Sequence, residues 1–167
     1  TLMGRRFAYL QVVLAVLPTN PLIAHGQIIN AAQHQFAEGD VMHWWHPPHH
    51  RGVRTRVSDD LLWLPYVVSQ YVETTGDASL LDHKIAFLEA PILNKEENER
   101  YNSYRPAQAT YSLMEHCRRA IEAGSTHGVH GLPLMGAGDW NDGLNRVGIR
   151  GSGESVWLGW FLCDVLE

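Results

Sequence analysis

Between Asp60 and Thr75 the chain reads DLLWLPYVVSQYVETT. Its apolar residues Leu61, Leu62, Leu64, Val67, Val68, Tyr71 and Val72 cover nearly the whole circumference of a helix rather than one stripe. A surface helix needs only a stripe facing the core, so this helix must be wrapped on most sides by other elements. Ser58-Asp59-Asp60 supplies its start, a capping hydroxyl followed by acids near the positive helix end. Pro65 must kink or restart it, and Gly76-Asp77 ends it.

The wrapping elements read as helices, with little strand signal. Leu22, Ile23, Ile28, Ile29, Ala32 and Phe36 recur at helical spacing from Pro21 to Phe36, and Gly39 is the natural C-terminal cap. Ser79 to Leu88 reads as a short helix, Asn94 to Arg105 as a polar surface connection, and Thr110 to Ala123 as an amphipathic helix ending at Gly124. Glu154 to Leu166 is a last apolar helix. Two irregular segments interrupt this series: His43 to Arg56, with Pro47-Pro48, and His127 to Gly153, with eight glycines. Loops of that length in a compact domain usually carry function. The rhythm of helix, long polar loop and buried helix predicts an all-α toroid of helix hairpins, with its site in the loops at one end.

Composition narrows the function. A net charge of −5 and the absence of a basic run speak against a nucleic-acid partner. No apolar run reaches the roughly 18 residues of a membrane span. Cys117 and Cys163 lack metal-ligand spacing and are too few for a disulfide framework, so a reducing, cytoplasmic setting is expected. Six Trp and six Tyr stand in otherwise polar segments, a texture suited to sugars, whose apolar faces stack on rings while their hydroxyls need polar partners.

The first irregular segment and the helix after it, HWWHPPHHRGVRTRVSDDLLWL, admit several chemistries. Asp59 and Asp60, beside Trp63, make a candidate general acid and partner, or merely cap their helix. Arg51, Arg54 and Arg56 could fork an anion or neutralise Asp40, Asp59 and Asp60. His43, His46, His49 and His50 have an H-x-x-H-x-x-H-H spacing, but catalytic zinc ligands usually come from rigid elements, so sugar hydroxyls or loop packing are the better use and no metal is expected. In the second segment, Asp139-Trp140-Asn141-Asp142 sets acids and an amide around a stacking ring; an Asx-rich turn is the alternative, and the ligand alternation of a calcium loop is missing.

Taken together, EGDVMHWWHPPHHRGVRTRVSDDLLWLPYVVSQYVETTGD (38–77), HGLPLMGAGDWNDGLNRVG (130–148) and GESVWLGWF (153–161) resemble glycoside hydrolase family 94, the inverting glycoside phosphorylases, and most of all the phosphorylase-like region of cyclic β-1,2-glucan synthases. The resemblance implies a catalytic domain built as an (α/α)6 barrel, of which 1–167 is one partial domain. In it, 38–77 is the acid-bearing loop and helix and 127–153 the sugar loop. It also implies phosphorolysis of β-glucosides to α-glucose 1-phosphate, with inorganic phosphate as co-substrate, no other cofactor, and a single acid protonating the leaving oxygen. That acid is expected at Asp60 or Asp59. Trp45, His46, Arg54, Arg56, Asp139, Trp140, Asn141, Asp142 and Glu154 are expected to bind a β-linked gluco-oligosaccharide and phosphate.

Two departures qualify the match. Phe7 and Ala8 fall where the family carries Arg and Asp, and its phosphate-binding segment is expected beyond Glu167. The chain therefore reads as the central part of a catalytic domain, on the cytosolic side of the inner membrane if it belongs to a glucan synthase. Little phosphorolysis is expected of it alone, and apolar faces left open favour self-association. A non-catalytic carbohydrate-binding or structural remnant of the same fold is the alternative.

Overall fold

The structure, a computed structural model, describes residues 5–6, 10–47, 51–141 and 143–167. In chain order the elements are β1 (Arg5–Arg6), α1 (Leu10–Val16), α2 (Pro21–Ala32), β2 (Met42–His46), β3 (Arg51–Thr55), α3 (Asp60–Thr75), a 3₁₀ turn (Ala78–Asp82), β4 (Lys84–Glu89), β5 (Glu99–Ser103), β6 (Arg105–Ser112), α4 (Leu113–Gly124), α5 (Asn145–Gly148) and α6 (Val156–Leu166).

The apolar helix is the hub. α3 packs against α1, α2, α4 and α6, burying Leu62, Leu64, Val67, Val68 and Tyr71. Pro65 lies inside a continuous helix: its missing N–H costs one bond of the ladder, and burial among the surrounding helices holds the element together. Gly76 ends it in the left-handed region at φ 72°, its N–H donating to Val72 O at 2.8 Å. The start differs from the reading above. Asp59 occupies the cap position without a side-chain capping bond, and the Ser58 hydroxyl donates elsewhere, to Gly138 O.

The all-α expectation is overturned. The described residues form a mixed α/β structure with two antiparallel sheets, a four-stranded one in the order β1-β2-β3-β5 and a two-stranded one pairing β4 with β6. The segment read as a long loop is largely the β2–β3 hairpin; the segment read as a helix from Ser79 is the 3₁₀ turn followed by β4; and the surface connection contains β5. Both the β2–β3 and the β4–β6 pairings carry an irregularity that erases the period of two. Register shifts between Met42 and Trp44, at His43, and between Ala86 and Leu88, at Phe87. A bulge puts neighbouring side chains on one face, and Met42-His43 and Phe87-Leu88 are accordingly buried as adjacent pairs.

α2 stops at Ala32, short of the Phe36 expected from periodicity. Gly39 caps no helix; it makes a tight turn at φ 100°, where an added Cβ would lie 2.3 Å from Arg119 O. Both the backbone region and the contact exclude a side chain. Gly39→Ala is therefore expected to cost about 3 kcal/mol, read as a lower urea midpoint at unchanged slope; a midpoint equal to wild type would refute this.

Amphipathic α4 begins at Leu113, three residues later than the sequence places its start, behind the cap Ser112, whose hydroxyl accepts from Glu115 N–H at 3.3 Å. No helix among the described residues is long and apolar enough to cross a membrane.

Candidate functional site

The two sequence blocks meet at the head of α3. Val57 bridges Gly136 and Gly138, and both the N–H and the hydroxyl of Ser58 donate to Gly138 O, at 2.9 and 3.1 Å. Residues 80 apart are thus stitched backbone to backbone, and the acids on either side fall into one buried cluster.

Asp59, Asp60 and Asp139 are 4%, 2% and 5% exposed. Each has a specific partner. Trp63 Nε1 donates to Asp59 Oδ2 at 3.0 Å, one helical turn along α3. His43 Nδ1 lies 2.7 Å from Asp60 Oδ2, brought there by the β2 bulge. Asp139 Oδ2 accepts from Ser155 Oγ at 2.6 Å, and its Oδ1 accepts from Asn141 N–H at 3.1 Å. Burial, then the charges of Asp60 and Asp139, push Asp59 up to about 7, against the opposing pull of the Trp63 bond and of His43. A carboxyl with that value holds its proton at neutral pH about half the time.

From this buried base the loop turns outward. Trp140, next to Asp139, is 59% exposed, and Asn141 is exposed beside it. Rings continue from Trp140 to Trp157 at 6.1 Å, to Phe161 at 5.4 Å and on to Trp63 at 4.5 Å. An aromatic row therefore runs from the solvent-facing indole to the indole that holds Asp59. An open cleft of about 1120 Å³ along α6 is lined by Trp157, Trp160 and Phe161.

The other residues expected to bind substrate fall apart from this centre. Trp45 is 1% exposed and stacked on His34 at 4.0 Å, within the core. Arg54, equally buried, forks Asp40 at 2.5 and 2.6 Å, reaches Glu38 at 2.9 Å and lies 4.1 Å over the Phe36 ring. Arg56 donates to the carbonyls of Glu97, Leu93 and Asn94 and so pins the connection before β5. It lines, with Glu38 and Lys95, a separate cavity of about 500 Å³.

His46 is half-buried and sits edge-on to Trp44 and Tyr101. Glu154 accepts from His130 N–H at 2.9 Å and holds the turn around Gly131. Asp142, His49, His50, Phe7 and Ala8 lie outside the described residues. Among the described residues no group of three or more His, Cys, Asp or Glu is arranged to hold a metal.

Three residues of the centre were not singled out for it by sequence. Ser58 reads as a cap, Ser155 as part of a helix start, and His43 as one of four histidines. The sequence signal available for Ser155 is a hydroxyl at the start of an apolar helix.

Residues 3–167 match the family model for the glycosyl hydrolase 94 superfamily, catalytic domain. The chain belongs to this family. Cyclic beta-(1,2)-glucan synthase NdvB of Rhizobium meliloti (strain 1021) is 48% identical over 161 residues, covering 95% of this chain and 6% of that protein. Solabiose phosphorylase of Paenibacillus borealis is 30% identical over 151 residues, 89% of this chain and 16% of that protein. The 3-O-beta-D-glucopyranosyl-beta-D-glucuronide phosphorylase of the same organism is 29% identical over 154 residues, 89% of this chain and 18% of that protein. The chain thus spans less than a fifth of the length of the curated relatives it matches, and within the glycosyl hydrolase 94 superfamily it is similar to both the glucan synthase and the phosphorylases.

Proposed function

We propose that this chain forms the sugar-facing centre of a glycosyl hydrolase 94 domain acting on β-linked gluco-oligosaccharides, with inorganic phosphate as co-substrate. The observation that carries the proposal is the outward indole of Trp140 mounted on the buried acid Asp139. A glucosyl ring stacks its apolar face on the indole, and the polar groups of Asn141 beside it meet the hydroxyls. The similarity to a cyclic β-1,2-glucan synthase over 95% of the chain makes a β-1,2 linkage the first to test. A cytoplasmic setting, where phosphate is available, belongs to the same proposal.

Phosphorolysis forms a bond from a phosphate oxygen to the anomeric carbon while the glycosidic oxygen leaves and takes up a proton. In the first reading, the donor is carried by the loop itself. Asp139 is committed to Ser155 and to the Asn141 N–H, which makes Asp142, the second acid of the loop sequence, the one to test for the leaving oxygen, while Ser58 holds the loop at Gly138. In the second reading, Asp59 or Asp60 is the donor, as the family resemblance implies; the proton that burial favours on Asp59 supports it.

Asp142→Asn, Asp59→Asn and Asp60→Asn in the full protein separate the readings. They are assayed on a β-1,2-gluco-oligosaccharide and on β-glucosyl fluoride, whose leaving group needs little protonation. The variant lacking the donor is expected to lose roughly 100-fold or more in kcat on the oligosaccharide and far less on the fluoride. Equal losses on both substrates in all three variants would sink both readings. Sugar binding without turnover in wild type would identify a non-catalytic binding protein.

A further inference from the structure

The loop that presents Trp140 and the helix that presents Trp157 are joined by one hydroxyl. Ser155 Oγ accepts from Leu158 N–H at 3.0 Å, capping α6, and donates to Asp139 Oδ2 at 2.6 Å. Ser155 is itself buried, and Ser155 N–H donates to Pro133 O at 2.9 Å, so the side chain has one place to be. Asp139 in turn accepts from Asn141 N–H through its other oxygen, which sets the backbone just past Trp140. A hydroxyl has one proton to donate and lone pairs to accept with, and here the cap and the loop use both. A bond from a hydroxyl to a buried carboxylate is among the stronger ones available to a side chain.

We propose that Ser155 is a positioning residue that locks the Trp140 loop to the start of α6, so that the Trp140 and Trp157 rings are presented as one rigid pair. The consequence for sugar recognition rests on the function proposed above; the locking itself does not. Without the lock the loop retains its stitch at Ser58–Gly138, so Trp140 stays near its place but gains freedom. Affinity for a stacked ring then falls because that freedom is lost on binding.

Amide hydrogen exchange of the full protein in the absence of sugar tests the lock directly. Ser155→Asp replaces one good helix cap by another but supplies no donor and sets a second carboxylate against Asp139. Exchange across 138–143 is expected to rise roughly tenfold or more, while α6 keeps wild-type protection. Ser155→Thr, which retains hydroxyl and cap, is expected to restore wild-type exchange. Ser155→Ala is expected to loosen both the loop and the first turn of α6.

Loop exchange equal to wild type in Ser155→Asp overturns the inference, as does failure of Ser155→Thr to rescue. Calorimetry with a β-1,2-gluco-oligosaccharide on the same proteins keeps the two proposals apart. A loop that loosens as expected in a chain that binds no sugar upholds the lock and removes the sugar reading. Wild-type binding whose affinity and loop exchange are both unchanged in Ser155→Asp removes the lock alone.

Discussion

Asp59→Asn is expected to stabilise the protein above pH 7 and to change little at pH 4. In the folded protein Asp59 is pushed up to about 7 by burial and by the charges of Asp60 and Asp139, from an ordinary value of 3.8. The folded state therefore binds this proton more tightly than the unfolded chain. Stability from this group falls as pH rises between those two values and is flat above the higher one. At about 1.4 kcal/mol per unit, the full span corresponds to roughly 4 kcal/mol.

Asparagine keeps an oxygen for the Trp63 indole, and its amide hydrogens face the carboxylates of Asp60 and Asp139 instead of adding a third charge. The measurement is the stability difference between variant and wild type by urea denaturation at pH 4, 5.5 and 7.5, in which the other titrating groups largely cancel. A difference that does not grow with pH would refute the account. The gain in stability would come with a changed site, the usual relation between buried charge and function.

Arg54→Ala carries the largest expected loss. The guanidinium is 1% exposed and serves Asp40, Glu38 and the carbonyls of Ala90 and Pro91 at once. Burial pushes Asp40 up even with Arg54 beside it, so without that partner the carboxylate is strongly disfavoured. Breaking one side of a buried pair costs about 3–5 kcal/mol, because the remaining charge is stranded. Lysine would restore a charge but not the fork that meets both Asp40 oxygens, and only partial recovery is expected. Arg54→Met combined with Asp40→Asn should be more stable than Arg54→Met alone, since the stranded charge is gone. Additive effects in that double variant would show that the two side chains do not act as a pair.

How far the sequence carried depended on the kind of signal. α3, α4 and α6 were legible because apolar periodicity and end signals agree: Gly76 after α3 and Gly124 at the end of α4. The strands were not. A strand announces itself by alternation, and the bulges at His43 and Phe87 break alternation where it would have been read. Pro47 lies just past the end of β2, where it costs no ladder bond, yet in sequence it argues for a loop. The family was legible because SDDLLWL and GDWNDG are each specific strings, and strings do not depend on pairing.

Local sequence determined that a wrapped apolar helix begins with two acids, and that an acid–indole–amide–acid loop follows some 80 residues later. Only the tertiary structure decided how those pieces share work. It enclosed Asp59, Asp60 and Asp139 together and turned Trp140 outward. It also drew Trp45 and Arg54 into the core, and gave His43, Ser58 and Ser155 their partners. The physical reason is that burial and charge proximity are properties of contacts made across the chain. A carboxylate's proton affinity, or an arginine's freedom to meet a ligand, is set by what long-range packing places around it.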